Sequence, residues 1–275
     1  VTEAAHVPEG YASSYVAHHV PGEQARLHTL EAAFDPATFR VLSRLGLPED
    51  ARCLDLGAGA GSVAAWLAAH RPLGQVTATD TDTRFLRFPP RTPIRVLRHD
   101  AVREDFPPEV FDLVHARALL CHLPQREELL RRAVDWVRPG GWLVVEDLSV
   151  RLADTSPHPV FKRVTRAGEE LLATTVGSDL RWADRLAGRF IELGLGDVES
   201  STAPGTVGDR SATDAFWTAT FDQAVPALLD KGLLTRQDMA AMRELHRSPD
   251  FTDTGISLIS VQGRKKASGA PVSPP

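Results

Sequence analysis

The chain has 275 residues, with 31 Lys and Arg against 36 Asp and Glu, for a formal charge of -5 and a pI near 6.1. That balance argues against a polyanion such as DNA or RNA as the main partner. The two cysteines, Cys53 and Cys121, fit a reducing compartment with no disulfide framework. The length suffices for a full α/β core, as one large domain or one domain with a cap. No uninterrupted apolar run approaches the ~18 residues that span a bilayer. The first twenty residues hold Glu3, Glu9 and several histidines with no apolar stretch, so no leader peptide is expected. The expectation is a soluble cytoplasmic protein with no membrane partner.

Residues 1 to about 22 carry Tyr11, Tyr15, His18 and His19 and little periodicity. Residues 22–45 read as helical in two pieces, with an apolar stripe at Leu27, Leu30, Ala33 and Phe34. Asp35-Pro36 supplies a cap and an N1 proline for the second piece. Lying ahead of the first strand, this region should be a cap or lid. Residues 53–56 form a buried strand that runs into a glycine turn, and residues 62–70 the helix after it. Residues 75–80, 94–97 and 111–115 follow as strands, 124–137 as an amphipathic helix, 138–141 as a turn and 142–146 as a fifth strand. Strands alternating with helices in this way predict a doubly wound, mostly parallel sheet. Further on, residues 160–175, 182–193, 215–229 and 237–246 read as helices, and 198–202 and 256–261 as strands. Residues 263–275, rich in Lys, Ala, Ser, Gly and Pro, read as a disordered tail.

The turn Asp55-Leu56-Gly57-Ala58-Gly59-Ala60-Gly61 organises the rest. Alternate glycines let the backbone turn sharply and approach a ligand closely. The helix behind them points free N–H groups at the same place. A nicotinamide fingerprint spaces its glycines G-x-G-x-x-G, whereas here the spacing is G-x-G-x-G. Asp55 would also repel a diphosphate and welcome a cation. Here the chain resembles the class I S-adenosylmethionine-dependent methyltransferases, whose D/E-x-G-x-G-x-G motif is matched in full.

That resemblance covers residues 51–150 and implies a seven-stranded sheet with a helical cap and helical insertions on the acceptor side. It implies S-adenosylmethionine as cofactor, with Asp55, Gly57, Gly59 and Gly61 around its methionine part. Asp80, with Thr81 beside it, would take the ribose hydroxyls, and Asp100 and the Ala101 N–H would read the adenine. Arg117, after the fourth strand, would contact the methionine end through its backbone, and Tyr15 would pack on the cofactor. Arg26 could reach the cofactor carboxylate or simply pair with Glu23. The implied organisation is a cap over residues 1–50, a cofactor core over 51–150, acceptor-side insertions over 151–262 and the tail.

His122, His18 and Glu146 are the candidate catalytic groups, each with a plain surface or capping reading beside it, and Asp147 shares Glu146's position. No H-E-x-x-H or Cys/His cluster is present, so no metal is called. The segment after the fourth strand, His115-Ala116-Arg117-Ala118, lacks the Asn/Asp-Pro-Pro-aromatic motif of enzymes that methylate nucleobase amines. The acceptor expected is therefore a small organic molecule of the secondary-metabolite kind. The aromatics Phe161, Trp182, Phe216, Trp217 and Phe221 are the pool from which one or two should line its pocket. A homodimer is left open. The rivals are an NAD(P)-dependent oxidoreductase and a non-catalytic relative that serves as a partner protein.

Overall fold

The apolar runs assemble into one sheet in the computed structural model, which describes Gly10 and residues 14–267. Helix α1 (Glu23–Ser43) precedes strand β1 (Arg52–Leu56), helix α2 (Ser62–His70), β2 (Gln75–Asp80), β3 (Ile94–Arg98) and β4 (Phe111–Arg117). Next come α3 (Arg126–Trp136), β5 (Val137–Ser149), α4 (Pro159–Thr175), α5 (Leu186–Glu192) and β6 (Gly196–Ala203). Helices α6 (Ala212–Asp230) and α7 (Arg236–Arg247) lead to the last strand of the sheet, β7 (Ser257–Arg264). The strand order is β3-β2-β1-β4-β5-β7-β6. The first five strands run parallel, and β7 is antiparallel to both of its neighbours. This is the doubly wound, mostly parallel seven-stranded sheet that the sequence predicts. The order reverses between β1 and β4, so their carboxyl ends open the crevice where such sheets hold ligands.

Period-two alternation sorts β4 between the two faces. Leu113 joins Cys53 and Val144 against Leu42 of α1 and Leu67 of α2. Val114 and Ala116 join Leu54 and Val145 against Trp136 of α3 and Phe190 of α5. His115 falls on the first face, in line with Leu113, and is fully buried. Among the described residues no helix is long and apolar enough to cross a membrane.

Several elements differ from the sequence reading. Helix α1 is one piece, with Pro36 inside it. A proline there forfeits one N–H bond, but Leu27, Leu30, Phe34 and Leu42 are buried along the helix and hold it. Phe34 meets Phe216 of α6 edge-on, ring centroids 5.8 Å apart. Residues 138–141 are a bulge within β5: Phe111 pairs with Val137, and Leu113 with Trp142. The segment 182–193 begins as a 3-10 turn, Trp182–Arg185, before α5. The predicted tail starts too early, because Gly263 and Arg264 still pair with Leu143 and Trp142. Its residues 268–275 lie outside the described residues, as does Tyr11. Residues 14–22 are also more than a loose cover: Val16, Ala17 and His18 are buried, and Gln223 donates to the Tyr15 carbonyl at 2.5 Å.

The contact between α1 and α6 is what docks the cap, and Phe34 is its largest fully buried side chain. Phe34→Ala should cost about 3–5 kcal/mol by the lost burial and the cavity left behind. Urea denaturation monitored by tryptophan fluorescence measures it.

Candidate functional site

At the crevice lies a cleft of about 1130 Å³, open mouth included. One end is built by the glycine turn. Gly57 has a φ of +68°, and a Cβ there would come within 3.0 Å of the Leu119 side chain, so only glycine fits. The Ala58 N–H donates to the Thr79 carbonyl at 2.8 Å, which ties the turn to β2. Gly57 and Gly59 line the cleft but Gly61 does not. Gly61 instead allows a close approach of Phe88, 2.7 Å from the position of its Cβ. This corrects its assignment to the ligand: it is a packing glycine at the start of α2.

Asp55 ends β1 beside this turn and is buried. Its Oδ1 lies 2.8 Å from His115 Nδ1, while its Oδ2 is buried without a hydrogen-bond partner. His115 Nε2 lies 3.3 Å from Glu146 Oε2. Glu146 also accepts from Thr38 of α1 and from Ser260 of β7, each at 2.5 Å. Three titratable side chains thus stand in a row across β1, β4 and β5. Burial alone would keep the imidazole neutral, but the hydrogen bonds and charges of Asp55 and Glu146 outweigh it and hold His115 at about 9. Burial likewise opposes the Glu146 charge, and the bond and charge of His115 outweigh that and hold its carboxyl below the usual range. The row is therefore carboxylate, imidazolium, carboxylate. Glu146 is not among the lining residues. The expectation that Glu146 is a catalytic group on the acceptor side is corrected: its side chain points into the interior, under α1.

Arg117 also does something other than expected. It lines the cleft, and its guanidinium donates to Asp35 Oδ1 at 2.8 Å, Thr38 Oγ1 at 3.1 Å and Ser62 Oγ at 3.2 Å. Ser62 Oγ donates to Asp35 at 2.9 Å, and the Ser62 N–H to Glu31 Oε1 at 3.0 Å. Helix α2 has no side-chain cap of its own, so a glutamate from α1 caps it, where a negative charge suits the helix dipole. Asp35 is part of this clamp, not the cap of a second helix.

The other end of the cleft gathers Asp80, Thr81, Asp100 and Ala101. Asp80 accepts the Gly59 N–H at 3.1 Å and the Asp82 N–H at 3.1 Å. Its carboxyl is raised by burial, against the opposing charge of His18 and the backbone bonds. His18 Nδ1 stands 3.0 Å from the Asp82 carbonyl oxygen and 3.9 Å from Asp80 Oδ1, with its ring 5.2 Å from that of Phe85. Asp100 caps its own turn by accepting the Val102 N–H at 3.0 Å. His99 beside it also lines the cleft, and its Nε2 is buried without a partner. His18 therefore covers the Asp80 end.

Between the two ends, Arg26, Leu27, Leu30, His122 and Leu148 line the cleft. Arg26 does pair with Glu23, at 2.8 and 2.7 Å, and it remains at the cleft. His122 Nδ1 lies 2.9 Å from Ser178 Oγ. Burial, with the charges of Arg26 and Arg126, pushes it down to about 4, so it is neutral near pH 7 and a weak base. Asp147 accepts the Leu119 and Cys121 N–H groups at 3.1 and 2.9 Å, which shapes the loop carrying His122.

Tyr15 is not at this cleft. It lines a second, apolar cavity between α4 and α6 with Leu172, Trp217 and Phe221, because buried Val16 and Ala17 fix the chain there. The expectation that Tyr15 packs on the cofactor is corrected. Phe161, Trp182, Phe216, Trp217 and Phe221 are all buried and none lines the main cleft. Phe161, Trp217 and Phe221 belong to a core that α4, α6 and α7 share, Phe216 packs with Phe34 of α1, and Trp182 joins the sheet core of Trp136 and Phe190. Sequence reasoning missed His115, Glu31 and Asp35. The signal for His115 was available: a histidine on the core side of an apolar strand, one strand over from an acid. Among the described residues no three His, Cys, Asp or Glu gather as a metal site.

Fold and cleft together define a doubly wound α/β protein with its ligand site at the reversal of strand order. The methyltransferase-domain family matches residues 26–198, more than half of the chain, and the chain belongs to that family. Methyltransferase str2 of Strobilurus tenacellus is 34% identical over 129 residues, 46% of each chain. Trans-aconitate 2-methyltransferase of Variovorax paradoxus is 32% identical over 170 residues, 60% of each chain. The matches thus span about half of these curated relatives. Phosphoethanolamine N-methyltransferase 2 of Haemonchus contortus, solved in complex with S-adenosyl-L-methionine, superposes with a TM-score of 0.57 at 17% identity, covering 90% of this chain and 58% of that one. At that identity it speaks for the fold. The class I resemblance drawn from the glycine motif is borne out as family membership.

The buried row makes stability depend on pH. His115 is raised from its ordinary value of 6.5 to about 9, so its contribution is complete below about pH 6.5 and is lost as the pH climbs through about 9. A shift of that size corresponds to on the order of 3 kcal/mol. Glu146 acts at the other extreme: its contribution is present above the usual carboxylate range and lost in acid. Urea denaturation of the ligand-free protein should show stability declining over this alkaline interval. His115→Gln should flatten that decline.

Proposed function

We propose that the cleft binds S-adenosylmethionine and that the protein transfers its methyl group to a small organic acceptor by in-line displacement. The observation that carries the reading is the buried, unpartnered Asp55 Oδ2 beside the glycine turn, with Asp80, which accepts the Gly59 N–H, lining the same cleft. An ammonium group satisfies Asp55 Oδ2, whereas the diphosphate of a dinucleotide would be repelled there. Asp80 suits a pair of ribose hydroxyls, Asp100 and the Ala101 N–H suit an adenine edge, and His18 closes over that end. The donor set thus fits the cofactor, and the family membership supports it. In this division Arg26, Leu27 and Leu30 of α1, with His122 and Leu148, serve the acceptor, while the rest of residues 51–150 and His18 serve the cofactor; among the described residues none of the later helices lines the cleft.

The bound cofactor would supply a sulfonium leaving group already activated for attack. The protein's own share is then placement and exclusion of water. Asp55 and Asp80 anchor the two ends, and Leu119, against Gly57, limits how the ligand can lie. His122, neutral and weakly basic, orients an acceptor by hydrogen bonding and is poorly suited to strip a proton from an alcohol. This favours an acceptor that is nucleophilic without help, a carboxylate foremost. The name of one relative, trans-aconitate 2-methyltransferase, points to an acid acceptor in that protein. We place the reaction among those of secondary metabolism.

Calorimetry should detect S-adenosylmethionine or S-adenosylhomocysteine and no heat with NAD; the reverse result would overturn the reading. Asp80→Ala should weaken cofactor binding by roughly 1.5–3 kcal/mol for each charge-assisted bond removed, in a protein that melts as the wild type does. Unchanged affinity would return Asp80 to a turn role. Incubation with methyl-labelled cofactor and a metabolite extract identifies the acceptor. A carboxylate acceptor yields a methyl ester, whose label mild alkali releases as methanol; alkali-stable label would point to nitrogen, carbon or ether oxygen instead.

A further inference from the structure

Asp55 and His115 line the cleft and Glu146 lies behind them, and of the row's side-chain N and O atoms only Asp55 Oδ2 is left without a partner. We infer that His115 is a positioning residue: clamped between Asp55 and Glu146, it fixes the Asp55 carboxylate so that Oδ2 alone faces the ammonium group of an amino-acid-bearing nucleoside. This deepens the cofactor reading above and rests on it.

Asp55 and His115 are direct partners on adjacent parallel strands, and Glu146 lies opposite Arg117 on the next. All four side chains therefore share one face. His115 Nδ1 takes Asp55 Oδ1 at 2.8 Å, and Nε2 takes Glu146 Oε2 at 3.3 Å. Glu146 is held in turn by Thr38 and Ser260 at 2.5 Å each, so His115 leans on a fixed group. Asp55 Oδ2 has no partner and no water contact to make, being buried. An ionised oxygen in that state is costly unless a cation completes it. The neighbouring charges are accounted for: Glu146 on β5, Arg117 on the same strand as His115, and Asp35 on α1, which Arg117 already engages at 2.8 Å. The row Asp55, His115, Glu146 carries one net negative charge, which matches one ammonium.

Rotation is the degree of freedom at stake. A carboxylate free about its terminal bond would present either oxygen. Locking Oδ1 on the imidazole removes that choice and leaves Oδ2 for the ligand. Only the part of the ligand that carries the ammonium should notice. The adenosine part, held at Asp80, should not.

Two substitutions separate the two nitrogens. In His115→Asn the amide NH2 falls near the place of Nδ1 and can still donate to Asp55. In His115→Gln it falls near Nε2 and serves Glu146 instead. Calorimetric Kd values would be measured with S-adenosylhomocysteine, which has the ammonium, and with 5′-methylthioadenosine, which lacks it. Melting temperatures would be taken alongside. His115→Gln should weaken S-adenosylhomocysteine at least tenfold and methylthioadenosine less than threefold, while His115→Asn keeps both within threefold. Equal weakening of the two nucleosides, equal behaviour of Asn and Gln, or no change in Gln would each overturn the inference and leave His115 a purely structural residue. If His115→Gln does not fold, Glu146→Gln takes its place. The imidazolium is then answered by Asp55 alone, so the loss should again fall on S-adenosylhomocysteine only, and an unchanged ratio overturns the inference. Wild-type protein that binds neither nucleoside removes the cofactor reading itself, a result distinct from all of these.

Discussion

A carboxylate, an imidazolium and a second carboxylate buried side by side in the middle of a sheet set the terms for everything around them. None of the three can be buried alone at tolerable cost, since an isolated charge in a low-dielectric interior loses many kcal/mol of hydration. Together the imidazolium offsets one of the two carboxylates, leaving one net negative charge, and hydrogen bonds recruit the elements that complete them. Thr38 ties the row to α1 and Ser260 ties it to β7. Strand β7 runs antiparallel to both β5 and β6, so its Ser260–Glu146 bond adds a side-chain link where the parallel strands meet it. The same row ends at the glycine turn, so the geometry of the ligand end is coupled to the fold's centre and not left to a surface loop.

Much of this architecture was legible in the chain. The strands β1, β2, β3 and β4 and the glycine turn follow from apolar runs, turn residues and alternation, and the structure places them within a few residues of expectation. Asp55, Asp80, Asp100 and Ala101 were legible because they sit at strand ends, which a doubly wound sheet brings to one crevice. What was not legible depends on contacts between distant segments. The continuity of α1 through Pro36 is decided by burial against α6, some 180 residues further along the chain, and local proline chemistry argued the other way. Glu146 read as a strand-end acid open to an acceptor, because the antiparallel strand that covers it arrives only at residue 257. Tyr15 and the five aromatics read as pocket material for a like reason: periodicity marks a side chain as buried, but not which cavity or core it is buried in.

The N-terminal segment changes character in this light. A lid is an element that opens, held by few buried contacts. Helix α1 instead contributes Arg26, Leu27, Leu30 and Glu31 to the wall of the cleft, caps α2 through Glu31 and binds Arg117 through Asp35. It is part of the floor on which the site stands. The piece ahead of it, residues 14–22, is anchored by Gln223 at the Tyr15 carbonyl and closes one end through His18. If anything yields to admit a ligand, it is that short piece and not the helix.

The acceptor side follows from what the charges leave over. Asp55 and Asp80 both line the cleft and are pinned, Asp55 by His115 and Asp80 by backbone N–H groups. The middle of the cleft is mostly apolar, with Leu27, Leu30 and Leu148. The titratable groups there are Arg26, committed to Glu23, and His122, whose basicity burial has removed. A site so furnished can hold a reactant and dry it, but it offers little power to remove a proton. For the methyl transfer proposed above, the chemistry would then be carried by the two reactants, one with its leaving group already charged and the other with its nucleophile already ionised. Specificity would rest on the shape of the cleft and on which acceptors arrive as anions.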